Sequence, residues 1–238
     1  MANADFGNQQ QAGGFDASSY RAQQQQSAAR ALTPMQQKLA ALEKALPAAL
    51  KSSAAALAIL IAVALVSVFG IGGAKLHAKY TAVENAVTTG VAADTQYGGD
   101  YTVAGQLTAR ANAAANVIAA AANDEKVGRD SAYVTQAQTA LDALDAALKT
   151  DSPAQMYAAD AALESAIDAL YAQMQSVSAT PLQMGAVQTQ YSAFNSAGTV
   201  LSNLSYNALA QAYNEQAAGF PANMVGALWG CGKAELFA

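Results

Sequence analysis

Residues 52–74, SSAAALAILIAVALVSVFGIGGA, run without a charge between Lys51 and Lys75. As a helix rising about 1.5 Å per residue, this stretch would be about 34 Å long, and the hydrocarbon core of a bilayer is about 30 Å thick. A buried core helix of this length would show a polar face, and this one shows none. The pattern predicts a transmembrane helix over 52–74. A cleaved signal peptide is the rival reading. It needs a short charged leader, whereas about fifty residues come first here, and KLHA (75–78) is a poor small-residue cleavage site. The expectation is an uncleaved signal anchor.

Beyond the span the helical period continues. KLHAKYTAVENAVTTGVAADTQY (75–97) is expected to extend the membrane helix outward as far as Gly98 and Gly99. A second helix is predicted over 101–122, followed by the polar turn NDEKVGRD (123–130). A third covers 131–149, with Val134, Ala137, Leu141, Leu144 and Leu148 in one stripe. Asp151 or Ser152 caps a fourth, which Pro153 opens. Its stripe is Met156, Leu163, Ile167, Leu170, Met174 and Val177. After SATPLQ (178–183), one long helix is predicted from about 184 to 218, stopped at Gly219, Phe220 and Pro221. Long helices on short connections bury such stripes in an antiparallel bundle. The predicted fold is all-α: an N-terminal single transmembrane helix followed by an antiparallel bundle of long helices over 75–238.

Upstream of the span, 1–31 is rich in Gln, Gly and Ala and offers little apolar area to offset the entropy of ordering. It reads as a disordered tail, or as a Gln-rich helix seeded by a partner. Over 32–51, Thr33 caps a helix and Pro34 suits its first position. Met35, Leu39, Leu42 and Leu46 make one apolar stripe that Pro47 kinks or ends. An amphipathic helix on the inner membrane surface fits this stripe, as does a short coiled-coil seam.

Composition sharpens the picture. Of 238 residues, 53% are apolar and only 12% charged, against about 25% charged in average soluble domains. The net charge of −5 is unevenly spread: 1–51 carries +2, Lys75 adds one, and 76–238 carries −8. No basic stripe is present for nucleic-acid phosphates. Lys38, Lys44 and Lys51 precede the span, and Lys75 and Lys79 follow it. The positive-inside tendency then puts the N-terminus in the cytoplasm and the bundle outside. The partners this implies are the lipid bilayer and another protein or a second copy.

Catalytic side chains are sparse. The one histidine, His77, sits beside the span, distant in sequence from the one cysteine, Cys231. No internal disulfide forms, and a zinc site wants several such ligands. Asp160, Glu164 and Asp168 share a helical ridge, and Asp142 and Asp145 lie three apart. Both groups read as solvated faces, with a weak Ca²⁺ site or attraction to cationic partners as the alternative. FGIGG (69–73) lies inside the span, where its glycines permit close packing or a bend. No cofactor and no catalysis are expected.

Two Tyr-Asn pairs remain, Tyr206 with Asn207 and Tyr213 with Asn214. Seven residues turn a helix through about 700°, so the pairs share a face about 10.5 Å apart. The tyrosines either fill bundle layers while the asparagines bond to a neighbouring helix, or all four form an exposed ladder that docks a peptide or glycan. Phe220 and Pro221 then turn the chain, and Met224, Val225, Leu228 and Trp229 are expected to fold back on the bundle end, with contact of Trp229 with the bilayer interface as the alternative.

These residues carry a resemblance. A span leads into a Tyr-led helix (Tyr80). Pro181 and Leu182 precede the last long helix with its two Tyr-Asn pairs. Phe220, Pro221 and Asn223 follow, with Phe237 beyond. Over about 55–238 the chain resembles the LemA family of bacterial membrane-anchored helical proteins. It departs from that family at YGGDYTVAGQL (97–107), which keeps Asp100 of an Arg-Arg-x-Asp-Leu-x-Pro-Asn-Leu run. The resemblance implies a bundle of long antiparallel helices without demonstrated enzymatic activity. The function expected is a membrane-anchored interaction or scaffold protein of the cell envelope. A peptide- or glycan-binding receptor signalling through its span is the alternative.

Overall fold

The computed structural model describes residues 33–45, 47, 52–97 and 99–238. The tail expected over 1–31 lies outside the described residues. The chain divides into two units, residues 1–62 and 63–238.

In the first unit, α1 (Pro34–Ala45) opens on a reciprocal cap. Thr33 Oγ1 accepts from the Gln36 N–H at 3.3 Å, and Gln36 Oε1 accepts from the Thr33 N–H at 2.9 Å. This satisfies two of the N–H groups that a helix start leaves unpaired. Met35, Leu39 and Leu42 are exposed along its stripe.

Helix α2 (Ser53–Leu65), a π-helical segment (Val66–Gly72) and α3 (Gly73–Thr89) form continuous helix over Ser53–Thr89. Among the described residues this is the one helix long and apolar enough to cross a membrane. No residue of α2 or of the π-helical segment is buried. The helix ends at Thr89, eight residues short of the expected end at Tyr97. Gly90 adopts φ +77° there, and a Cβ on it would stand 2.7 Å from the Gly99 carbonyl oxygen. A residue without a side chain ends the helix and lets the returning backbone pass.

The second unit continues with α4 (Val103–Ala122), α5 (Ala132–Ala147), α6 (Pro153–Ser176), α7 (Pro181–Asn203), α8 (Tyr206–Ala218) and α9 (Ala222–Leu228). No strand forms among the described residues. Helix α4 packs along α7, and α5 along α6, with α4 also touching both α5 and α6. Helices α3, α8 and α9 pack on one another, and α3 joins them to α4. The stripes read from the sequence face this interior. Leu144, Leu163, Ile167, Leu170 and Met174 are fully buried, each contributing about 1.5–3 kcal/mol of transfer free energy. Ser152 caps α6 by accepting from the Gln155 N–H at 3.3 Å, and Pro153 opens the helix.

The long helix expected from 184 to 218 is two helices, parted at Leu204 and Ser205. Asp94 supplies the physical reason. Its carboxylate accepts from the N–H groups of Gln96, Tyr97 and Ser205 at 2.9, 2.9 and 3.1 Å. It thereby ties the α3–α4 connection to the start of α8. Asp124 acts likewise elsewhere, accepting from the Lys126 and Thr180 N–H groups at 2.9 Å and joining two turns.

Candidate functional site

The two Tyr-Asn pairs on α8 face residues 230–238, a segment with no regular secondary structure beyond the turn at Gly230. Asn214 Nδ2 donates to the Ala234 carbonyl at 2.9 Å, and Asn214 Oδ1 accepts from the Ala234 N–H at 2.8 Å. Asn207 repeats the exchange with Phe237, at 2.8 Å each way. The Tyr213 hydroxyl donates to the Gly232 carbonyl at 3.1 Å, and the Tyr206 hydroxyl to the Glu235 carbonyl at 2.9 Å. Both tyrosines are buried and both asparagines half-buried.

The heptad spacing now has a physical account. Seven helical residues rise about 10.5 Å, and three extended residues cover about 10 Å. Successive pairs on α8 therefore meet every third residue of a segment running the opposite way. Each asparagine presents an amide that mimics a strand's donor and acceptor. Of the two arrangements the sequence offered, the amides form neither bonds to a neighbouring helix nor an open ladder: half-buried, they bond to the irregular backbone at residues 234 and 237. Burial first, then the Glu235 carboxylate, pushes the Tyr206 hydroxyl up to about 12. Burial also leads in pushing Tyr213 up to about 12. Both stay protonated and able to donate at neutral pH.

A cleft of about 560 Å³ lies at the Phe237 end of this segment, bounded also by Arg110, Asp160, Glu164, Asn195 and Thr199. Arg110, on α4, is nearly inaccessible at 2% exposure. Its Nε donates to Asp160 Oδ1 at 2.6 Å and its Nη2 to Glu164 Oε2 at 2.9 Å, both on α6. The guanidinium carbon lies 3.9 Å from the centroid of the Phe194 ring on α7. Gly198 completes the fit, since a Cβ there would come within 1.9 Å of Arg110 Nη1.

Of the acidic ridge of α6, Glu164 and Asp168 are exposed as the sequence suggested, and Asp160 is not. Asp160 is buried against Arg110, and Asp168 accepts from the Tyr191 hydroxyl at 2.8 Å. Burial raises the Asp160 carboxyl above the ordinary range, and the Arg110 charge partly offsets this. Nothing in the local pattern marks Arg110. Its partner lies fifty positions on, and only the fold joins them.

Residues around Phe220 pack on the opposite end of α8. Phe220 is exposed, and its peptide bond to Pro221 is cis. Val225 is buried, whereas Met224 and Leu228 are exposed rather than folded onto the bundle. Trp229 Nε1 donates to the Phe69 carbonyl at 2.7 Å, and a Cβ on Gly73 would overlap the indole. The π-helical turns around Phe69 displace carbonyls from the regular i→i+4 ladder, which suits one to accept from outside.

Although distant in sequence, His77 and Cys231 meet: Cys231 Sγ lies 3.8 Å from His77 Nδ1. Burial chiefly raises the thiol above its ordinary range, against a lowering contact from Tyr213. A thiol held protonated is a poor nucleophile. Among the described residues, no three His, Cys, Asp or Glu side chains gather as a metal-ligand set.

No family model, curated protein or solved structure matches this chain.

Proposed function

We propose that this chain is a single-pass, membrane-anchored scaffold of the bacterial cell envelope, LemA-like in organisation. Helix α1 lies on the cytoplasmic side and an antiparallel bundle on the outer side. It works by contact with a protein partner or with itself, without catalysis and without nucleic acid. One observation carries this reading: the apolar half of Ser53–Thr89 buries no side chain, while its other half is built into the bundle. Uncovered apolar length of this kind is accounted for by lipid. Proximity labelling in intact cells, from a tag on the bundle, tests it. Envelope proteins are the expected catch. Labelling confined to cytoplasmic proteins would contradict the orientation, and substrate turnover by the purified chain would contradict the non-catalytic role.

The hydrogen bonding of α8 favours a second reading, a peptide receptor. Asn207 and Asn214 bond to the main chain of residues 234 and 237. Such contacts accept an extended peptide with little regard to its side chains. A labelled peptide of residues 230–238 should then bind a chain lacking that segment. Failure of the peptide to bind that folded, truncated chain removes the receptor reading.

A further inference from the structure

We propose that α9, with Phe220 before it and Trp229 after it, is a second membrane contact: an apolar foot lying in the interfacial layer of the bilayer beside the emerging span. Lys75 and Lys79 stand at its rim, where lipid phosphates lie. This rests on the reading of Ser53 onward as lipid-spanning.

Depth is the first argument. Twenty helical residues cover about 30 Å, the thickness of a hydrocarbon core. Counted from Ser53, that length ends at Gly72. Helix α9 docks at this level. Trp229 bonds to the Phe69 carbonyl and rests on Gly73, and Gly226 faces Leu76. The docking therefore holds α9 where hydrocarbon gives way to headgroups, the level at which tryptophan is enriched.

Exposure is the second. Phe220, Met224 and Leu228 recur every four residues and are 82%, 55% and 71% exposed. Val225 and Gly226, about 100° and 200° round the helix from Met224, are buried and supply the docking face. No charge occurs between Glu215 and Lys233. Three large apolar side chains projecting from so short a stretch form a patch rather than scattered exposure. Val68 of the span lines one groove with Pro221, Ala222 and Val225, so the apolar surface around α9 adjoins the span, where Val66, Val68 and Ile71 are exposed. That adjacency identifies the occupant as lipid rather than a second protein.

Charge is the third. An open apolar groove of about 350 Å³ between α3 and α9 is lined by Val68, Leu76 and Val225, with Lys75 and Lys79 beside them. Lys79 donates to Gln216 Oε1, and among the described residues neither lysine is paired with a carboxylate. Long lysine stems can lie along such a groove while the ammonium groups reach the phosphates.

The chain has a single tryptophan, which makes the test direct. The full chain is reconstituted in phosphatidylcholine vesicles with and without phosphatidylglycerol, and recovered by flotation. A Leu228→Trp, Trp229→Phe variant moves the probe to the exposed face, and the native chain reports on Trp229 itself. Lipids brominated near the headgroup should quench both by about twofold or more, as expected of an interfacial indole. Lys75→Gln with Lys79→Gln should remove any extra quenching gained with phosphatidylglycerol. Unquenched, water-like emission from both probes in floating vesicles overturns the foot and leaves the span intact. Extra quenching that survives the lysine changes overturns the phosphate contact. A chain that fails to float overturns the span reading, and the foot with it.

Discussion

Asn214 and Ala234 exchange two hydrogen bonds, side-chain amide against backbone amide, at 2.9 and 2.8 Å. Asn207 does the same with Phe237 three residues on. A helical heptad and three extended residues have nearly equal lengths, and that match lets one helix hold an irregular segment in register. Asn214→Asp keeps an acceptor for the Ala234 N–H but sets a carboxylate oxygen against the Ala234 carbonyl. Losing the matched pair should cost about 1–3 kcal/mol. Trypsin cleavage after the exposed Lys233 should accelerate, while the α-helical circular dichroism signal stays unchanged. Cleavage at the native rate would mean the exchange does not hold the segment.

Arg110 fixes α4 against α6 and α7. Arg110→Met should destabilise the chain by about 3–5 kcal/mol, because Asp160 is left buried without its counter-charge. Adding Asp160→Leu should recover most of that loss. The pH dependence distinguishes this from a packing defect. Burial raises the Asp160 pKa in the folded chain, and removing Arg110 removes the opposing effect. The folded form then binds the proton more tightly than the unfolded form, so stability is greater at low pH and lost as pH rises. The single variant should therefore gain stability on acidification from about pH 7 to about pH 5, relative to the native chain. Urea unfolding in detergent at the two pH values reads the difference.

Asp94 gives the opposite sign. Hydrogen bonds led by the Tyr97 N–H and by Ser205 lower its pKa to about 2. A depressed carboxyl contributes stability above its unfolded value of about 3.9 and loses it as pH falls through the folded value. Unfolding followed from pH 5 to pH 2 should show a loss of stability that Asp94→Asn lacks. Hydrogen exchange should place the earliest opening at Ser205 and the start of α8.

Gly73→Ala should push the indole of Trp229 off α3, since the new methyl would overlap it. Fluorescence of the single tryptophan should change in wavelength and anisotropy, with Leu228→Ala as a control that leaves both nearly unaltered. Identical spectra for Gly73→Ala and the native chain would contradict the docking of α9.

Helix positions were largely legible in the sequence. Pro153 with Ser152 marked the start of α6, and the Met156–Met174 stripe marked its buried face, because local periodicity encodes both. The break at Leu204 was not legible. It has no glycine or proline, and its cause is a carboxylate from Asp94, more than one hundred positions earlier. The Arg110 pair was hidden for the same reason, and Asp160 read as one of three solvated acidic residues on its ridge, of which Glu164 and Asp168 are exposed. The Tyr-Asn spacing was visible, but its counterpart is an irregular segment with no period to read. Exposed Met224 and Leu228 were expected inside, because an apolar residue signals burial without saying whether protein or lipid covers it.

Flotation after alkaline carbonate extraction tests the central claim most directly. With lipid around the apolar half of Ser53–Thr89, the full chain should rise with the vesicles and resist extraction, and release should require detergent. An intact chain recovered in the aqueous fraction without detergent would contradict the account.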